Sequence, residues 1–585
     1  MSKIYSVRKG KECSPDETIS KVENILNNLG IKTVSEWNNA LEHHHSLNLR
    51  IEGTNLFTNG KGTTKEYALA SAYGEMMERV QTMSLFRFNL QYPEEVMNYG
   101  GYAYAPDEIK ISVNDIDKDE RKLLNVFNNK RMDKNMAEKL SLIENCQYIH
   151  KEKNEYIYFI PFLDIVNDDK VFFPIKMVDL INGSNGMCAG NTYDEALVQG
   201  LSEILERYSN KIIVQKRLTP PNISLEYIKE NCDTAYKMIT AIEEKGYDVV
   251  IKDCSLGKGY PVAAAIIKDK DKGRFFVKFG SQPNMDIAIE RCLTETFQGR
   301  NLENINWFRD YFYSYDTKFE TQNLSDILHS GDGFYPYEFF GEEESYSFKP
   351  WNYEEDDNVV LKDKLKNLII ETGFNLYIRD WSFLVVPAYQ LISPGLSNLY
   401  EEFDERVQWH KMLIEAKESA RKLGEITEDD FEKIKSFMEY NNYTNRFGIL
   451  DFIGLPVDGN GKWNNLKKDY FLTLYYYNKK EYDKAYSISN GYVNTYNNIY
   501  TRCMRHYILL KYLKNSDEKI ISQLKNLYNE KVVLYVDTML NDKSKFKEYN
   551  VKCEDCNSCK EECYQKKINE IFKNIKTKYA ESFRS

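Results

Sequence analysis

The 585-residue chain carries 78 Lys and Arg against 89 Asp and Glu, a net charge of −11. A chain this acidic repels phosphate backbones at long range, so direct nucleic-acid binding is not expected. Its length calls for two or more domains, and 42% hydrophobic residues suffice for a sizeable core.

No run of 18 or more apolar residues predicts a membrane span. Met1 to Gly10 is polar and charged and predicts no signal peptide. A cytoplasmic location follows, where the scattered Cys13, Cys146, Cys188, Cys232, Cys254, Cys292 and Cys503 stay reduced. The 44 Tyr and 30 Phe are read as compositional drift, not as a base-stacking platform.

In chain order, an amphipathic helix is predicted over about residues 14–29, with Ile19, Val22, Ile25 and Leu26 on one face. His43, His44 and His45 are adjacent, and neighbours on a strand point to opposite faces. A polar loop or strand is expected there rather than a metal site. Further helices are predicted over 66–86, 194–216 and 286–301. Strands are predicted over Tyr156–Phe162, Val171–Val178 and Phe275–Phe279. Tyr260–Ile267 and Arg274–Phe279 flank a charged turn ending in Gly273 and read as a hairpin. Ser314–Asp357, rich in Tyr, Ser, Asp and Glu, is expected to be irregular and exposed. Helices and strands thus mix without regular alternation, the pattern of an α+β fold.

From about residue 405 helical patterns dominate: Val407–Leu423, Glu428–Tyr440, and the pair Tyr470–Tyr477 and Tyr482–Tyr492. The boundary is placed there, giving a mixed unit 1–405 and an all-α unit 406–585. The last pair loosely resembles a tetratricopeptide hairpin; a plain helical cap fits equally. Within the second unit stands Cys553-x2-Cys556-x2-Cys559-x3-Cys563. Four clustered thiols suit Zn²⁺ or an Fe–S cluster, although Tyr564 replaces the proline of the ferredoxin run. A thiol cluster that binds nothing is the alternative.

Three helices share a pattern. Ala68-x6-Glu75-x2-Glu78-Arg79 is followed by Ala196-x6-Glu203-x2-Glu206-Arg207 and Ala288-x6-Glu295-x2-Gln298, with Arg300 beyond. Gly62 and Gly190 lie 13 residues before the leading glutamate, and Gly280 lies 15 before. Residues three or four apart share a helix face, so each helix carries a narrow polar line on a mostly apolar surface. One such line is explained by a solvated face. Internal duplication of a structural helix is a second bland explanation. If the three converge, several carboxylates repel one another in one cleft, and Arg79, Arg207, Arg291 and Arg300 are too few to offset them. Mg²⁺ shared with substrate phosphates resolves the conflict. Glycines in the loops 58–64 and 184–191 permit close approach of an anion to a helix start, and Lys61 is placed to neutralise a phosphate. The loop is not a Walker A sequence.

These motifs resemble the YcaO family of ATP-utilising proteins. The match rests on Asn59-Gly60-Lys61-Gly62, Ser71-x3-Glu75-x2-Glu78-Arg79, Ser184–Asn191, Glu195-Ala196, Gly200–Glu203-x2-Glu206-Arg207 and Glu290-Arg291-x3-Glu295-x2-Gln298. It spans roughly residues 1–400. The resemblance implies mixed sheets packed with helices around ATP and Mg²⁺. It implies Glu75, Glu203, Glu206 and Glu295 as Mg²⁺ ligands. It places Lys11, Thr18, Ser71, Glu78, Asn191, Glu195, Arg207 and Arg291 at the nucleotide, with Lys61, Ser184 and Gln298 beside them. No general base stands out.

The Gly10-Lys11 start and the helical tail resemble those of a member associated with β-methylthiolation of an aspartate in a small-subunit ribosomal protein. That likeness implies a methylthiotransferase of the RimO type and the ribosomal protein as partners, and is compatible with a homodimer. Other members activate a peptide amide to form azolines or thioamides. The closing residues Glu581–Ser585 are not proline-rich, which points away from azoline formation. A third reading is an ATP-gated adaptor whose tail recruits a partner.

Overall fold

A computed structural model of the chain describes residues 8–88, 90–144, 155–298, 308–331, 333–351, 353, 357–400, 403–440, 448, 454, 466–542, 546–549 and 563–584. Mixed sheets and helices fill the first 400 residues, and beyond them the regular elements among the described residues are helices, in keeping with the expected α+β class. Among the described residues no helix is long and apolar enough to cross a membrane.

Three antiparallel sheets organise the mixed part. The first runs Thr33–Leu41, His44–Ile51, Phe57–Gly62. A five-stranded sheet is ordered Arg309–Asp310, Arg274–Ser281, Val262–Asp269, Asp248–Asp253, Asn222–Ile223. The six-stranded sheet is ordered Ile109–Ser112, Tyr156–Asp164, Tyr377–Asp380, Ala388–Ile392, Met187–Ala189, with Asp169–Pro174 paired to Tyr156–Asp164. The expected hairpin is present, registered from Val262 opposite Ser281 to Asp269 opposite Arg274.

Each sheet sends one strand into one of the three acidic helices. Phe57–Gly62 leads to Lys65–Gln81, Met187–Ala189 to Tyr193–Lys216, and Arg274–Ser281 to Met285–Thr296. Thr64, Thr192 and Asn284 cap the helix starts, each side-chain oxygen accepting an N–H in the first turn. The back of each helix enters a different core: Ala72, Met76 and Val80; Leu201, Ile204 and Leu205; Ile289, Cys292 and Leu293. The front faces are left to meet one another.

The glycines ahead of these helices serve packing. A Cβ on Gly62 would stand 2.7 Å from the Ala68 nitrogen, and one on Gly190 2.7 Å from the Ala196 nitrogen. Gly280 repeats the arrangement against the Ala288 carbonyl. Glycine on the strand and buried alanine on the helix let the two backbones touch, which fixes where each carboxylate emerges. This explains the matching Gly–Ala–Glu offsets.

Other differences from expectation have local causes. Val171–Val178 is half strand and half helix: Pro174 closes the strand and stands at the cap of Ile175–Asn182. Both halves are apolar, and such a run fits either element. Ser314–Asp357 is not irregular throughout. It holds the helix Thr317–Ser330, capped by Asp316 and closed by Gly331 at φ 65°. Its Ile327 and Leu328, with Tyr335 and Phe339 beyond, are core residues. The first acidic helix stops at Gln81, because Met83 takes the left-handed conformation (φ 56°) before the short turn Ser84–Arg87.

The helical region has its own core, from Leu413 to Tyr549. Its elements include Phe403–Ala420, Glu428–Tyr440, Lys468–Asn478, Tyr482–Thr495 and Ile499–Tyr512. The helix Gln565–Arg584 leaves that core and returns to the first one through Ile568, Ile571, Phe572, Ile575 and Tyr579. There the Lys576 ammonium donates to the carbonyls of Tyr102 at 2.7 Å and Ala103 at 2.8 Å. Arg379 bridges Asp107 and the Tyr579 hydroxyl at 2.7 and 2.8 Å. Packing therefore assigns this helix to the mixed part, whereas chain order alone assigned it to the second unit.

Candidate functional site

The three front faces enclose a cavity of about 390 Å³, a volume in the ~300–1,000 Å³ range of small-molecule sites. Glu75, Glu203, Glu206 and Glu295 line it, from all three helices. So do Lys11, Thr18, Lys61, Ser71, Glu78, Ser184, Asn191, Glu195, Arg207, Arg291 and Gln298. The predicted cleft residues are thus gathered in one place.

An arm before the first helix closes one side. The Lys11 ammonium meets the Glu195 carboxylate at 2.9 Å, and the Glu12 N–H donates to it at 3.0 Å. The Asn191 amide donates to the same carboxylate at 3.1 Å and accepts from the Thr18 hydroxyl at 3.0 Å. Burial works against the Glu195 charge, but these contacts outweigh it and hold its pKa below the ordinary value. Arg8 pairs with Glu290 on the third helix.

Deeper in, carboxylates face cations from neighbouring elements. Arg79 stands 3.7 Å from Glu75 and 3.4 Å from Glu78. The Asn59 N–H donates to Glu75 at 3.3 Å. Lys61 pairs with Glu295 and reaches the Gln298 carbonyl oxygen at 3.5 Å. Arg291 donates to Gln199 at 2.8 Å. Burial pushes the Glu78 carboxyl up to about 8; Arg79 opposes the shift, and Glu203 and Glu75 add to it. Glu203 is raised too, by burial first, against Arg207 and with Glu206. Lys61 falls to about 8 through burial and the Arg291 charge. Both signs of charge are crowded and poorly hydrated here.

This donor set fits Mg²⁺ and a polyphosphate. Among the described residues no three His, Cys, Asp or Glu side chains converge on one point. Mg²⁺ does not require that, since it keeps waters and binds through one or two carboxylates plus substrate phosphates. A dication would offset the burial and the neighbouring carboxylates that together raise Glu78 and Glu203. Ser202 Oγ, Ser281 Oγ and Arg207 Nε are buried without a hydrogen-bond partner, and all three residues line the cavity. Unsatisfied polar atoms at a cavity wall are what a polar ligand completes.

Arg8, Gln282 and Ser281 also line the cavity, although the sequence reading passed over them. Nothing in the spacing marks Arg8. Ser281 and Gln282 directly follow Gly280, so the Gly280-to-helix turn was the signal to follow.

The histidine run lies where the first hairpin turns, with His44 buried against Phe297 at 4.9 Å. Its Nδ1 meets the Glu42 carbonyl oxygen at 2.9 Å, and burial pushes its pKa down to about 4. Of the cysteine cluster, Cys553, Cys556 and Cys559 lie outside the described residues, as does Arg300; Cys563 is described.

The family model "YcaO cyclodehydratase, ATP- and Mg²⁺-binding" matches residues 59–397, more than half of the chain. The chain belongs to the YcaO family, a class of ATP-using modification enzymes. It is similar to the ribosomal protein S12 methylthiotransferase accessory factor YcaO of Escherichia coli, with 27% identity over 462 residues and 78% of each chain covered. An uncharacterised protein of Haemophilus influenzae is 26% identical over 499 residues, covering 84% of each chain. The solved YcaO from Methanopyrus kandleri bound with AMPPCP and Mg²⁺ shares 18% identity at a TM-score of 0.42, covering 67% of this chain and 94% of that one.

Proposed function

We propose that the protein binds ATP with Mg²⁺ in this cleft and assists β-methylthiolation of an aspartate in a small-subunit ribosomal protein. A methylthiotransferase of the RimO type would be its partner. The observation that carries the ATP reading is the meeting of three carboxylate helices, from three sheets, at one cavity. The acceptor reading is supported by the likeness to the E. coli accessory factor across most of both chains.

In the amide-activating members of the family, bound ATP would supply a phosphoryl group that makes an amide-derived oxygen a leaving group, whereas β-methylthiolation has no such oxygen to activate. The chain's own part is positioning and charge neutralisation. Glu75, Glu203, Glu206 and Glu295 offer oxygen ligands to Mg²⁺. Lys61, Arg79, Arg207 and Arg291 offset phosphate charge. Lys11, held by Glu195, keeps the arm over the cleft.

The test is mass spectrometry of ribosomal proteins from a strain lacking the gene. Loss of the methylthio mass increment is expected; an unchanged spectrum contradicts the reading. One observation favours a second reading. The matching family model is described as a cyclodehydratase, so activation of a peptide amide is the alternative. It predicts an ATP-dependent azoline or thioamide in a peptide encoded nearby, seen in the same kind of spectrum.

A further inference from the structure

Beyond Arg207 lies a group of side chains that the cleft itself does not use. Arg207 lines the cavity and donates to the Leu328 carbonyl. The next residue, His329, stands in the last turn of Thr317–Ser330, and its Nε2 meets the Tyr400 hydroxyl at 2.7 Å. The Arg406 guanidinium lies 3.9 Å from the centre of the Tyr400 ring and 4.9 Å from that of Trp409. Stacking of this kind holds a guanidinium flat and oriented.

Tyr400 and Tyr440 are the groups that favour the Arg406 cation, and no carboxylate among the described residues is paired with it. Its Nε is buried without a partner, like that of Arg207. His329 faces solvent, yet surrounding protein, followed by Arg406 and Arg207, pushes its imidazole down to about 4. It is therefore neutral at physiological pH. Arg406 and Arg207 thus both act on the His329 ring.

We propose that Arg406, with Arg207, His329 and Tyr400, forms an acceptor subsite for a carboxylate-bearing polypeptide beside the nucleotide cleft. A carboxylate takes two parallel N–H donors from a guanidinium. The flanking Tyr400 and Trp409 rings suit a peptide better than a bare phosphate. Only Arg207 of this group borders the cavity, so it links the two sites. The assignment rests on reading the cleft as an ATP site that serves a polypeptide acceptor.

The test uses the full chain and two probes. One is a doubly capped, fluorescein-labelled peptide of alternating Gly and Asp; the other is a peptide of ribosomal protein S12 spanning its modified aspartate. A protein of net charge −11 repels acidic peptides at long range, so binding of the first probe reports a local basic site. Wild-type protein is expected to bind it, and to bind the Gly-Asn counterpart at least about tenfold more weakly, the loss expected for one charged contact of ~1.4 kcal/mol. Arg406→Met is expected to remove that preference, and Arg406→Lys to keep part of it should the Met variant fold poorly. Affinity for ATP with Mg²⁺, by calorimetry, should change less than about twofold, under ~0.4 kcal/mol. The subsite is overturned if wild-type protein shows no preference for Asp, or if both variants retain it. It is also overturned if ATP affinity falls in step. Retained Gly-Asp binding with no binding of the S12 peptide keeps the subsite and counts against the ribosomal acceptor.

Discussion

The cleft and the Tyr507 network of the helical region handle buried polar groups in opposite ways. In the helical region Tyr507 is fully buried, and its hydroxyl lies 2.8 Å from Asp517 and 2.6 Å from Asp537. The same oxygen accepts from Asn541 at 3.3 Å. That network closes on itself. In the cleft, Ser202 Oγ, Ser281 Oγ and Arg207 Nε are buried with no partner, and burial raises two carboxyls. A closed network stabilises a fold; an open one costs stability until a ligand completes it. The difference marks which of the two networks is built for binding.

That contrast gives opposite expectations for the two regions. Glu203→Gln should weaken ATP binding in Mg²⁺ by about 100-fold, ~2.8 kcal/mol, read by titration calorimetry. Its ligand-free melting temperature should hold or rise, because a crowded buried charge has been removed. A fall in melting temperature with unchanged affinity would make Glu203 structural. Next in size, Gly62→Ala should cost ~1–3 kcal/mol by forcing strand and helix apart, seen in chemical denaturation. No loss there would undo the packing account of the repeated glycines. Tyr507→Phe should cost about 1 kcal/mol, the value of a typical intramolecular hydrogen bond, while leaving ATP affinity unchanged. A drop in affinity would erase the contrast between the regions.

A further effect calibrates both regions with a carboxyl outside them. Glu144 is buried, accepts from the Tyr104 hydroxyl at 2.9 Å, and is pushed by burial to about 8 against the pull of Lys176. Its folded pKa lies above the ordinary 4.5, so the folded state holds the extra proton between those values. Stability should therefore fall as pH rises through that window. Glu144→Gln should flatten the slope in urea titrations, with or without ATP. A slope unchanged by the substitution would show that Glu144 does not titrate there.

Much of the site was legible because its signal repeats. One Glu-x2-Glu helix means little, but three with matching alanine and glycine offsets brought Glu75, Glu203 and Glu295 together on paper. The purpose of the glycines was not legible: Gly62 fits an anion loop and a tight strand–helix contact equally, and only the position of Ala68 decides. Val171–Val178 misled because its apolar run crosses Pro174 without a change of character. Ser314–Asp357 misled because its composition outweighed two plain boundary signals, Asp316 and Gly331. The helix Gln565–Arg584 shows its apolar stripe in sequence, but a stripe does not name its partner. Arg8 gains its meaning from Glu290, 282 positions away, and no local pattern carries that.

The most direct test of the central claim is a calorimetric titration of ATP into the full chain, with Mg²⁺ and then with a chelator in its place. A site built from crowded carboxylates should bind ATP with Mg²⁺ and lose that binding without it, since the nucleotide's charge then adds to theirs. Equal binding in both conditions, or none in either, would contradict the account.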